Sequence, residues 1–321
     1  MAASLPVYSR LCPAENARRT VGEINGLDAD ESGRNRDFDE IRDILNDIRE
    51  KLDETGEPER TSDEIRDEIR KHLDEMHQCF PTEYFFSFSY DKITTRLVEK
   101  VYDELMASYT TLDGKLNVVV FSNGGDADSA FNLSVLFRKF APAGLIFTIP
   151  RWAKSAGTLL ALSGDEVHMT DVAELGPLDP QIRHFDLARR HDERISPLDL
   201  KYTLELIRQE FANGDQDLAK GLMKRLQFPM TLGRIIKSPE LSEQYLMRNL
   251  LMGMFNADDE DEVEKARGIA HRLVYGYPDH RYSILAGEAE EMGLSVSVIS
   301  ERRFEMVWKL HKLQRELYLV E

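Results

Sequence analysis

A serine stands in the middle of Arg151-Trp152-Ala153-Lys154-Ser155-Ala156-Gly157-Thr158. The apolar run Leu145 to Ile149, closed by Pro150, predicts a strand before it, and Leu159 to Leu162, stopped by Ser163-Gly164, predicts a short helix after it. A strand, a sharp turn holding a serine between small residues, and a helix form a nucleophile-elbow arrangement. The turn lifts the hydroxyl out of the backbone, and Ala156 and Gly157 let a substrate carbonyl come close. The helix N-terminus presents N–H groups to a developing oxyanion. Serine is also a favoured helix N-cap, which is the plainer use of Ser155. A second chemical element, Gly124-Gly125, ends the run Leu116 to Phe121. Ligands of open α/β sheets gather at strand ends. With the Ala156 N–H, the backbone of Gly124 and Gly125 would complete an oxyanion hole; a tight strand-to-helix turn would use the same glycines.

These residues need a scaffold, and the chain supplies an alternating pattern. Tyr84 to Tyr90 is rich in strand formers. Ile93, Leu97, Val98, Val101, Leu105 and Met106 mark an amphipathic helix, and Leu116 to Phe121 fits a strand buried on both faces. A helix through Phe131, Leu133 and Phe140, the strand before Ser155, the elbow helix and Val167-His168-Met169 continue an α/β order. Glu174 to Gln181 is a loop stiffened by Pro177 and Pro180. From Pro197 onward the periodicity is helical, with a helix expected to start at Ser238-Pro239-Glu240 and proline in its first turn.

Residues 1–36 lack apolar periodicity and are expected to be flexible. Residues 37–80 carry two charged helical stripes, the second opened by the capping-box pair Thr61 and Glu64, and read as a helical arm. The arm is either a partner or self-association element or a cap on its own domain. Residues 81–321 form the main domain. A net charge of -17 argues against general nucleic-acid binding. Cys12 and Cys79 are far apart and fit neither a metal site nor a disulfide framework. There is no basic stretch followed by an apolar core at the N-terminus and no bilayer-length apolar run, so a cytoplasmic protein without a membrane span is expected. No P-loop is present.

Ser-Asn-Gly-Gly-Asp at 122–126, Lys-Ser-Ala-Gly-Thr at 154–158, Gly-Asp-Glu-Val at 164–167, Leu-Gly-Pro-Leu-Asp-Pro-Gln at 175–181, and His280 ahead of Glu288-Ala289 and Gly293-Leu294 together resemble the Clp-fold serine peptidases. The nearest branch in pattern is the serine dehydrogenase proteinase family, related to signal peptide peptidase A. The resemblance covers roughly residues 84–298. It implies an α/β fold of the ClpP/crotonase-like kind, a spiral of ββα units, here with an N-terminal helical arm and additional C-terminal helices. It also implies a serine nucleophile at Ser155, a Gly-Gly oxyanion loop at Gly124 and Gly125, and homo-oligomers; the expected substrate is a peptide or protein, with no cofactor or metal. For the base it leaves alternatives. His280 oriented by Asp179 is one; a lysine is the other, with Lys201 roughly placed and Lys154 adjoining the serine but expected to point away into solvent. Beside the peptidase stand two rival readings: a crotonase-like acyl-thioester enzyme that would hold an enolate in the same hole, and a catalytically silent scaffold.

Overall fold

The structure is a computed structural model in which residues 60–89, 92–108, 112–180, 182–186, 191–225 and 232–320 are described. The chain divides into Met1–Glu59 and Arg60–Glu321, and all the described residues belong to the second unit. The expected flexible stretch and the first helix of the arm lie outside the described residues.

Five strands build the main sheet: β1 (Glu83–Ser89), β2 (Lys115–Phe121), β3 (Leu145–Ile149), β5 (Glu166–Met169) and β9 (Val296–Val298), in the order β1-β2-β3-β5-β9. Every pairing is parallel. The central strands are apolar because both faces are covered: β3 is buried throughout, and β2 is buried after Lys115. Helices α2 (Thr95–Ser108) and α3 (Ala127–Phe140) connect the first three strands.

The chain does not pass straight from strand to helix. After β3 it turns at Pro150 into a short second strand, β4 (Trp152–Ala153), before helix α4 (Ala156–Ala161). After β5 it forms β6 (Glu174–Leu175), which pairs with β4. Isolated bridges extend this second layer, Ser122 to Ala153, Ile93 to Gly125 and Leu175 to Ile284. The result is a mixed α/β fold with the ββα step that the motif blocks imply.

Beyond β6 come the hairpin β7 (Ile182–Asp186) and β8 (His191–Ile195), then α5 (Pro197–Ala212), α6 (Gln216–Arg225), α7 (Leu232–Met252), α8 (Glu260–Tyr275), α9 (Ala286–Glu291) and, after β9, α10 (Glu301–Val320). The β7–β8 hairpin leaves no signal in the sequence because Arg183, His184, Asp192, Glu193 and Arg194 interrupt any apolar alternation. The expected helix start at Ser238-Pro239 is corrected: α7 begins at Leu232 and carries Pro239 inside it. A proline there removes one intrahelical bond. Burial of Leu246 and Leu250 in the core outweighs that loss.

Two polar attachments hold the layers together. Helix α1 (Ser62–Cys79) has the expected Thr61–Glu64 capping box, and its Met76 packs with Phe85, Val119, Val307 and Leu310. Beside that cluster, Arg303 of α10 grips Glu83 of β1 with two bonds of 2.7 and 2.8 Å. Glu83 also accepts from Asn117, which accepts from Thr148, both at 2.8 Å, so a buried polar chain crosses three strands. On α7, Asn249 is fully buried and donates to Leu159 O at 2.7 Å and Ser134 Oγ at 2.9 Å, fastening α4 to α3. No helix among the described residues is long and apolar enough to cross a membrane.

Burial opposes the charge on Glu83, but the bonds from Arg303 and Asn117 outweigh it and hold its carboxyl below the usual range. The Arg303–Glu83 side chains are only 14 and 11% exposed. Removing one partner strands the other, so Arg303→Met should lower the unfolding free energy by ~3 kcal/mol at neutral pH. A depressed carboxylate stabilises above its unfolded pKa and loses that contribution as pH falls through its folded one. Urea titrations should therefore show the gap between wild type and variant closing as the pH is lowered; a gap independent of pH would contradict this assignment.

Candidate active site

Ser155 occupies the corner between β4 and α4 with φ 52° and ψ -119°. It is the only non-glycine residue with positive φ among the described residues. Such a backbone costs on the order of 1–3 kcal/mol and persists only where its surroundings enforce it. The enforcement is visible on both sides. The Lys154 N–H donates to Ser122 O at 3.0 Å, and the Ser122 N–H donates to Trp152 O at 3.1 Å, which staples the approach to the end of β2. Thr158 Oγ1 donates to Ala153 O at 2.6 Å and accepts from the Gly176 N–H at 2.9 Å, closing the turn from behind. The Ser155 side chain makes no capping hydrogen bond, so the N-cap use of this serine is not the one the protein makes.

Gly124 lies against the elbow with φ 94°. A Cβ there would sit 2.6 Å from Lys154 O and 2.9 Å from Ser155 Cβ. Only glycine fits, by conformation and by space. Its N–H, however, is taken by Ser122 Oγ at 3.0 Å. The contribution of Gly124 is therefore closeness, and the expectation that its N–H faces an oxyanion is corrected. Gly125 is packed backbone to backbone against Ile93, where a Cβ would meet Ile93 O at 2.2 Å. Among the described residues no acceptor lies against the N–H of Gly125 or of Ala156.

These groups line one cleft of about 530 Å³ together with Ser155 and His280. Of its lining residues Leu159, Leu178 and Ser242 are buried, whereas Lys92 and Asp126 are exposed. Ser242 and Lys92 have no motif around them, and sequence reasoning does not single them out. They arrive from α7 and from the segment before α2, and only the folded chain brings them to Ser155.

The placement of Asp179 and His280 is set by one bridge. Leu175 and Ile284 exchange both backbone bonds, at 2.9 and 3.1 Å, in antiparallel sense. Asp179 lies four residues after Leu175, and His280 lies four residues before Ile284, so the two segments leave the bridge in the same direction with equal offsets. Asp179 is 5% exposed, and both residues line a second cavity of about 420 Å³ that adjoins the first at His280. Asp279 has another task. Arg281 binds its carboxylate through the backbone N–H and two guanidinium nitrogens, which draws its pKa down to about 2.

The lysines are placed elsewhere. Lys154 points away from the hydroxyl, as expected, but not into solvent. Its ammonium is 2.8 Å from Glu174 and also donates to Leu175 O at 3.1 Å, Ser283 Oγ at 3.2 Å and Tyr282 O at 3.3 Å. Partial burial opposes the charge on Glu174, yet bonds from Lys154, Ser283 and Arg151 bring its pKa down to about 2. This cluster ties the elbow to the segment that carries His280. Lys201 is exposed on α5 and is not one of the cleft residues.

No family model matches the chain. Two uncharacterized proteins of Methanocaldococcus jannaschii are similar to it, one 26% identical over 200 residues (62% of this chain) and one 24% identical over 208 residues (63% of this chain). Each match spans 59% of the relative's own length. Among solved structures, a membrane-bound stomatin-specific protease covers 70% of this chain and 83% of its own at a TM-score of 0.42 and 14% identity. ClpP1 from Listeria monocytogenes covers 68% of this chain and 92% of its own at 0.38 and 13%.

Gly124→Ala tests the packing of the elbow. The added methyl meets backbone on one side and Ser155 on the other, at a φ that alanine disfavours. Thermal and urea unfolding should show a loss of about 3 kcal/mol. A variant as stable as wild type would mean that the strand end and the elbow are not in this contact.

Proposed function

We propose that the chain is a serine peptidase that cleaves through an acyl-enzyme on Ser155. The observation that carries the reading is the backbone of Ser155: a strained, uncapped serine held beside the available N–H groups of Gly125 and Ala156. Neither rival reading uses it. An enolate needs the N–H groups but not a serine in the left-handed region, and a scaffold needs neither.

In this reading the Ser155 hydroxyl attacks the peptide carbonyl and its proton passes to His280. The N–H groups of Gly125 and Ala156 hold the oxygen as it becomes an oxyanion. The C–N bond breaks, and the amine leaves with the proton from His280. Water, deprotonated by His280, then attacks the ester and restores Ser155. Asp179 holds the imidazole in register for both transfers, the arrangement by which a carboxylate orients a histidine base. His280, which shares the cleft with Ser155, is preferred to Lys154, which is bound to Glu174, and to Lys201, which does not line the cleft; Lys92, exposed at the margin, is the lysine that the experiment tests. The reading places the chain with the serine dehydrogenase proteinase branch of the Clp-fold peptidases. It includes self-association, supported by Tyr202 and Phe211 of α5 and Met223 of α6, which are 69, 54 and 55% exposed.

Hydrolysis of a quenched fluorescent peptide library checks this. Wild type should cleave, and Ser155→Ala should not. His280→Ala should lower kcat by ~100-fold or more, the usual contribution of a general base, and Asp179→Asn should lower it less. Lys92→Met should leave the rate within a few-fold. Cleavage that survives Ser155→Ala would refute the reading, and a loss on Lys92→Met with none on His280→Ala would move the base to the lysine.

A further inference from the structure

The buried residues lining the Ser155 cleft carry small or apolar side chains, apart from one hydroxyl. Leu159 and Leu178 are 0 and 4% exposed, and Ala156 beside them is 4% exposed. Ser242, from the middle of α7, is 6% exposed and lines the same cleft. Among the described residues its hydroxyl has no hydrogen-bond partner. It is not sealed in either, because its remaining surface opens on the cleft. A helical serine usually spends its hydroxyl on a backbone carbonyl one turn earlier; this one is left to whatever enters.

From these residues we infer that the buried part of the cleft receives a substrate side chain, selects uncharged side chains that carry a hydrogen-bonding group, and has Ser242 as its specificity-determining residue. The inference rests on the peptidase reading and names its substrate class. A charged side chain would lose its hydration against Leu159, Leu178 and Ala156, with no opposite charge among those residues; Lys92 and Asp126 are at the exposed margin. A wholly apolar side chain would fit but would strip water from the Ser242 hydroxyl without replacing it. A side chain ending in an amide fills the same volume and restores the bond. Glutamine is therefore preferred to methionine, which is near it in length, by about tenfold.

The test uses two peptidyl diphenyl phosphonates that differ only in the side chain beside phosphorus, glutamine in one and methionine in the other. The serine oxygen displaces phenoxide, so the second-order rate of labelling reports fit without requiring turnover. Wild type should react about tenfold faster with the glutamine probe. Ser242→Ala, which removes the hydroxyl and no bond within the protein, should bring the ratio to one or below while still labelling. Ser242→Met should slow both probes and leave an alanine-bearing phosphonate unaffected. A wild-type preference for methionine, or a glutamine preference unchanged in Ser242→Ala, overturns the inference and leaves the peptidase reading standing. Absence of labelling at Ser155 by every probe, in protein folded by circular dichroism, overturns both.

Discussion

The site depends on a single close approach, that of the Gly124 backbone to the carbonyl of Lys154 and the β-carbon of Ser155. Everything near the serine is arranged to keep it. Gly124 can pack there only without a side chain and at positive φ. Ser122 holds Gly124 in place by accepting its N–H, while the backbone of Ser122 pairs with Trp152 and Lys154 on either side of Ala153. The strain at Ser155 is thus maintained by hydrogen bonds on both flanks, and the free energy it costs comes from the core behind it. Phe121, Leu159 and Leu160 are essentially inaccessible, and Asn249 ties their layer to α7. A reactive corner built on a short six-residue helix is kept rigid by elements far from it in sequence.

Electrostatics separates the neighbouring charges by task. Lys154 and Arg151 are committed to Glu174, and Arg281 to Asp279, so the cations closest in sequence to Ser155 and His280 are structural. Their work is to fix loop positions, since Lys154 bridges the β6 edge and the Tyr282-Ser283 segment that leads back to His280. The buried residues that line the cleft are small or apolar apart from Ser242, and the charged Lys92 and Asp126 are exposed at its margin; in such a setting aimed N–H groups act strongly on a developing charge.

Each feature was legible in the sequence to the extent that its signal is local. The elbow was legible because a strand, Ser155 and a short helix are contiguous, and the strand end at Gly124-Gly125 was legible for the same reason. The α/β order was legible in the nearly continuous apolar runs of β2 and β3, interrupted by Asn117 and Thr148. Neither the hydroxyl of Ser242 nor Lys92 carries any mark in sequence; each becomes relevant only when α7 or the segment before α2 folds over the elbow. The interior position of Pro239 is of the same kind, since tertiary burial of α7 overrides a strong local signal for a helix start. The N–H of Gly124 illustrates a finer limit. Its glycine identity was readable, but the partner that takes its donor depends on the rotamer of Ser122.

The central claim is that the fold makes Ser155 a nucleophile. The most direct measurement is to treat the folded protein with a small alkyl fluorophosphonate and map the adduct by peptide mass spectrometry. The account predicts one phosphonyl group per chain, on the peptide containing Ser155 and on that residue. No adduct, or an adduct spread over Ser242 and surface serines with Ser155 unmodified, would contradict it.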